Sequence, residues 1–105
     1  MEAWGVPDDG ARVLLGDPSR STYYTYKRAE GGPLSADTLE RVGYVLGIYK
    51  ALQLLFGNPQ QADDWMKKAN AAFGGRSALE HALGGKVVDL AHVRSYLDAV
   101  RGDGL

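Results

Sequence analysis

The sequence predicts an all-α protein, on three observations. Apolar residues recur at spacings of three and four while strict alternation never persists. Gly- and Pro-based turn signals cut the chain between those runs. Several runs begin on residues that cap a helix. The expected architecture is a helix-turn-helix-like amino-terminal half with a long linking helix (1–56), joined to a small helical carboxy-terminal half (57–105).

Pro7-Asp8-Asp9 opens a short helix through Val13, Leu14 and Leu15, placing proline and acids where free N–H groups and the helix dipole favour them. Gly16 closes it, and Asp17-Pro18-Ser19 opens the next, running to about Arg28. Glu30-Gly31-Gly32-Pro33 is a break. The longest segment begins near Ser35-Ala36-Asp37 and runs to Phe56. Asp37 with Glu40 resembles a capping box, and Leu39, Val42, Leu46, Tyr49, Leu52 and Phe56 make one apolar stripe. Gly43 and Gly47 lie a turn apart, each costing about 1 kcal/mol against alanine. They read either as points of close approach by another backbone or as tolerated glycines.

Gly57-Asn58-Pro59 restarts the chain, Asn as cap and Pro at the first helical position. That helix carries Trp65 and Met66 and ends in Lys67-Lys68. Residues 70–75 form a loop with Phe73 as apolar anchor. Ser77-Ala78-Leu79-Glu80 is a capping box for a short helix that stops at Gly84-Gly85. The last helix starts near Asp89, buries Leu90, Val93, Leu97 and Val100, and ends at Gly102.

The chain has 105 residues, 45% of them apolar, enough for one compact unit or two small subdomains sharing a core. With 12 basic and 13 acidic residues, no basic coat exists, and any nucleic-acid contact must be local. Cysteine is absent, which removes disulfides and thiolate chemistry and suits a cytosolic home. No apolar run reaches membrane-spanning length, and no signal peptide is expected after Met1.

The two opening helices have a helix-turn-helix outline. The second offers Arg20, Ser21, Thr22, Tyr24, Thr25, Lys27 and Arg28, groups that reach phosphates and base edges. The same outline also fits an ordinary three-helix packing unit. Tyr23 and Tyr26 share a face and read as packing residues, whereas Tyr24 points elsewhere and is more exposed. Asp89 and His92 lie one helical turn apart and could hold a metal or act as a base pair. No third ligand stands nearby in sequence, so no metal and no catalytic residue is assigned. Gly74-Gly75-Arg76-Ser77 fits an anion seat or simple turn chemistry. Nothing supplies a nucleophile, base and oxyanion site together, so neither an enzyme nor a cofactor is expected.

Leu55-Phe56-Gly57-Asn58-Pro59, Ala62, Trp65-Met66, Asn70, Phe73 to Leu79 and the closing Val93, Leu97 and Val100-Arg101-Gly102 resemble the Xre/MbcA/ParS toxin-binding domain. Ala11 to Lys27 is similar to that family's Xre helix-turn-helix, and Leu39 to Phe56 to the helix joining the halves. The resemblance implies an antitoxin that neutralises a RES-domain toxin, an enzyme that attacks NAD, and that also represses its own operon. It implies pairing through the Xre half, and a chain this short leaves much of the long helix's stripe for a second copy to cover. Toxin-binding residues are then expected at Trp65, Arg76, Leu79, Arg94, Tyr96, Arg101, Gly102, Asp103 and Leu105. DNA-binding residues are expected at Arg20, Ser21, Thr22, Tyr24, Lys27 and Arg28. The alternative is a stand-alone transcription regulator whose carboxy-terminal half only dimerises.

An NAD pocket holds an anionic pyrophosphate, so a blocker needs a projecting apolar anchor with negative charge at its tip. Asp103, Leu105 and the terminal carboxylate beyond Gly102 supply those groups, with Tyr96 and Arg101 at the shoulder. The competing expectation is a frayed tail, with the toxin held by the helical face around Trp65 and Leu79.

Overall fold

The computed structural model describes residues 4–27 (backbone alone for 25–27) and 35–102. They form α1 (Asp8–Leu14), α2 (Arg20–Lys27), α3 (Ala36–Leu55), α4 (Pro59–Trp65), a 3-10 turn (Ala71–Phe73), α5 (Ala78–Ala82) and α6 (Val87–Arg101). The described residues contain no strand, only an isolated antiparallel bridge between Ala69 and Ser77. None of their helices is long and apolar enough to cross a membrane.

The starts follow local chemistry. Asn58 Oδ1 accepts the N–H groups of Gln60 (2.8 Å) and Gln61 (3.3 Å), with Pro59 at the first helical position. Ser77 and Glu80 close the expected capping box at 3.0 and 3.1 Å. Two starts differ from expectation. Ser35 caps α3 by accepting the Thr38 N–H at 3.1 Å, while Asp37 pairs forward with Arg41. α6 begins at Val87, because Asp89 reaches back to the Lys86 N–H (3.2 Å) instead of opening the helix itself.

One core runs through both halves. Trp4, Val6, Ala11, Leu14 and Tyr23 join Ile48, Ala51 and Leu52 of α3, and Met66, Phe73, Leu90, Val93 and Leu97 complete it. α3 packs chiefly on α6, and α4 and α5 fill the flanks. Val100 stays 56% exposed; it lies in the last turn of α6, past Leu97, the last fully buried residue of that helix.

The apolar stripe of α3 divides. Leu52 is fully buried, and Val42 and Phe56 are half-buried. Leu39 (55%), Leu46 (63%) and Tyr49 (40%) face solvent. The core face is instead built from Thr38, Arg41, Ile48, Ala51 and Leu52. At Gly47 the close neighbour is a side chain rather than a backbone: a Cβ there would collide with the Arg94 guanidinium. Gly43 has open space beside it.

Candidate functional site

Two surfaces carry the candidate chemistry. The first is a row of rings on the carboxy-terminal half. Trp65, on α4, stacks on Tyr96 of α6 with centroids 6.0 Å apart and planes 20° from parallel. Tyr96 meets Phe73 edge-on at 5.5 Å, and Phe73 lies 5.0 Å from His81. Trp65, Tyr96 and Leu79 are only partly buried, packed on the core with one side left to solvent. Arg76 is exposed, and its Nη2 stands 3.4 Å from His81 Nδ1. A half-buried aromatic row with a cation at its edge has the composition of a protein-binding surface.

The expected toxin-binding residues do not all fall on this row. Trp65 and Tyr96 belong to it, Arg76 borders it through His81, and Leu79 is a half-buried residue of α5 packed on the core. Arg94 and Arg101 project from the opposite side of α6, since helical rotation sets positions 94, 98 and 101 against 92 and 96. Arg94 Nε donates to both Asp98 oxygens at 3.1 Å while its guanidinium occupies the gap over Gly47. Arg101 Nη1 lies 4.0 Å from Asp98 Oδ1. Gly102 takes a left-handed conformation (φ 80°) that ends α6 and turns the chain. Asp103 and Leu105 lie outside the described residues.

In sequence Phe73 reads only as a loop anchor, whereas in the fold it stands between Tyr96 and His81. The signal was the Asn70 cap, whose Oδ1 accepts the Ala72 N–H at 2.9 Å and winds the loop into a turn that aims Phe73 inward. Glu80, at the same edge, has its pKa lowered by the hydrogen bonds from the Ser77 N–H and hydroxyl, with Arg76 adding to the effect.

The second surface is α2. Ser19 Oγ accepts the Thr22 N–H (3.2 Å) and donates to Thr22 Oγ1 (2.9 Å), fixing the helix start. Arg20 is largely exposed and pairs with Asp9 at 3.8 Å. Ser21 is exposed as well. Tyr23 is buried and donates to Asp8 Oδ1 (3.0 Å), whereas the exposed Tyr24 donates to Asp8 Oδ2 (3.3 Å), matching the roles expected of each ring. Asp8 and Asp9 thus stand beside the groups expected to meet phosphates. The side chains of Thr25, Tyr26 and Lys27, and all of Arg28, lie outside the described residues.

The fold therefore defines a class: a small helical protein with a helix-turn-helix outline in its amino-terminal half and a row of packed rings in its carboxy-terminal half. Two family models match in tandem. Residues 1–47 match the antitoxin Xre-like helix-turn-helix domain, and residues 51–102 match the antitoxin Xre/MbcA/ParS C-terminal toxin-binding domain. The chain belongs to the Xre/MbcA/ParS antitoxin family. It is similar to the uncharacterized protein y4oB of Sinorhizobium fredii (strain NBRC 101917 / NGR234), with 48% identity over 101 residues, 96% of this chain and 78% of that one. No solved structure matches it significantly.

Proposed function

We propose that this protein is a cytoplasmic, non-enzymatic antitoxin that binds and neutralises a RES-domain toxin consuming NAD. Residues 1–56 would serve DNA binding, operon autorepression and pairing of two copies, and residues 57–105 would serve toxin binding. The observation that carries the reading is the partly exposed Trp65–Tyr96 stack, backed by the buried Phe73 and set within the segment that matches the toxin-binding family. Support for pairing comes from Leu39, Leu46 and Tyr49, which leave an apolar strip on α3 uncovered. On the DNA side, Arg20 must exchange Asp9 for phosphate, so affinity rests on few contacts and falls steeply with salt. Alanine at Arg20, Lys27 and Arg28 together is expected to abolish operator binding; retained binding removes that part of the proposal.

The deciding experiment is co-expression with a RES-domain toxin, reading complex formation and NAD loss separately. Tyr96→Ala is expected to weaken the complex by about tenfold or more, as loss of a central aromatic anchor does. Deleting Asp103, Gly104 and Leu105 tests whether the chain end enters the toxin's pocket. The plug requires that the truncated protein still bind while NAD loss resumes; full inhibition by it assigns neutralisation to the aromatic face alone.

A further inference from the structure

Folding supplies the third ligand that the sequence lacked beside Asp89 and His92. α5 and α6 are joined by the tight Gly84-Gly85 turn, which brings His81 against the first turns of α6. His81 Nε2 lies 3.3 Å from His92 Nδ1 and 3.8 Å from Asp89 Oδ1, and the three potential ligand atoms all fall within 4.8 Å of one another. Zinc bonds of about 2.0–2.1 Å in a tetrahedron set ligand atoms about 3.3–3.4 Å apart. The two imidazole nitrogens already stand at that separation, and Asp89 Oδ1, 3.8 Å from His81 Nε2, has to move closer to complete the set.

The surroundings orient the ligands. Asp89 Oδ2 is occupied by the Lys86 N–H at 3.2 Å, which leaves Oδ1 turned toward the histidines. His81 is flanked by the Phe73 ring at 5.0 Å, and its side chain and that of Asp89 are each only 17% exposed. His92 is exposed, so a fourth coordination position opens to water. A set of two imidazoles and one carboxylate suits borderline divalent ions such as Zn2+, Ni2+ and Cu2+, and not Mg2+ or Ca2+, which take all-oxygen shells.

Arg76 works against a cation here, and its effect is bounded. A guanidinium only donates, so its 3.4 Å contact assigns the lone pair of His81 to Nδ1 and the proton to Nε2, facing His92. A metal on Nε2 requires that proton to move to Nδ1, with no net gain or loss, and the exposed Arg76 to swing outward. The Asp89 charge offsets that of Arg76 within the cluster.

We propose that His81, Asp89 and His92 form an open three-ligand site for a zinc-class divalent ion at the α5–α6 junction. The test uses the full chain without a histidine tag, Zn2+ in calorimetry and Co2+ as the optical probe. One equivalent of Zn2+ is expected to bind, and Co2+ to give the visible bands of a low-coordinate site, displaced by Zn2+ and not by excess Mg2+. His92→Gln changes an exposed residue and keeps the fold; it is expected to weaken Zn2+ binding by at least about tenfold, since even outer-shell losses cost that much. His81→Gln should do the same, and both should abolish the thermal stabilisation by Zn2+ seen in the parent. Absence of saturable one-equivalent binding overturns the proposal. So does unchanged affinity in His92→Gln, which would place the ion elsewhere.

Discussion

Arg41 shows how one side chain holds the two halves in register. It is 8% exposed, its Nε donates to both Asp37 oxygens at 3.1 and 3.0 Å, and its Nη1 donates to the Gly85 carbonyl at 2.9 Å. Thr38, one turn earlier, donates to the Leu15 carbonyl at 3.1 Å. α3 is thereby tied to the end of α1 on one side and to the turn before α6 on the other. Replacing Arg41 with alanine leaves the Gly85 carbonyl without its charged donor, a loss of about 2–3 kcal/mol. Asp37 remains solvated, so no charge is stranded. Urea unfolding at neutral pH measures this, and a loss under about 0.5 kcal/mol, the level of an ordinary surface change, would contradict it. Glu80 gives a prediction in pH. Its pKa is lowered in the folded state by the Ser77 hydrogen bonds, so its stabilising contribution is complete above the ordinary value of 4.5 and is lost as pH falls through the folded value. The stability difference between the parent and Glu80→Gln should hold constant from neutral pH to about 4.5 and shrink below it. A difference that grows on acidification would show the sign to be wrong.

Among the elements, α3 has the most ambiguous apolar pattern. It is apolar on more than one side: Tyr44, Val45, Ile48, Leu52 and Leu55 serve the core, while Leu39, Leu46 and Tyr49 form a second strip outside it. Periodicity finds either strip, and only packing decides between them. The short elements were legible for the opposite reason. α4 and α5 start on Asn58 and Ser77, whose caps depend on residues two or three positions away, so sequence contains the whole interaction. The aromatic row and the His81 cluster were not legible, because Trp65, Phe73, His81 and Tyr96 come from separate elements and meet only once α4 and α6 pack on α3 and α5 packs on α6. The outer strip of α3 yields its own test. Leu46→Glu places a charge on a surface that is open in the single chain, so the fold should persist, and a dimer closed over that strip should dissociate. Light scattering at micromolar concentration is expected to show a dimer for the parent and an 11 kDa-class species for the variant. A parent that is itself monomeric, or a variant that stays dimeric, removes α3 as the pairing surface.

For the whole molecule, the arrangement of the core constrains how its two functions are joined. The helix-turn-helix and toxin-binding matches meet within α3, between residues 47 and 51, yet the buried side chains make no such division. Ile48, Ala51 and Leu52 lie under α6, and Gly85, before α6, places Val13 of α1 within ordinary contact of its Cβ direction at 3.5 Å. Occupation of the aromatic face by a partner therefore bears on the same core that positions α1 and α2. Such sharing suits the size, since the apolar surface that a chain of about 50 residues buries offsets its ordering entropy only marginally. A fragment of residues 57–105 would expose Leu90, Val93 and Leu97, which are at most 1% exposed in the intact chain, wherever α3 covers them. It would also leave the Gly85 carbonyl without Arg41. The fragment is expected to lack a cooperative thermal transition in circular dichroism, and adding a peptide of residues 35–56 should restore helicity beyond the sum of the two. Cooperative unfolding of the isolated fragment near the melting temperature of the full chain would show that the carboxy-terminal half has a sufficient core of its own, and that α3 serves it only as a tether.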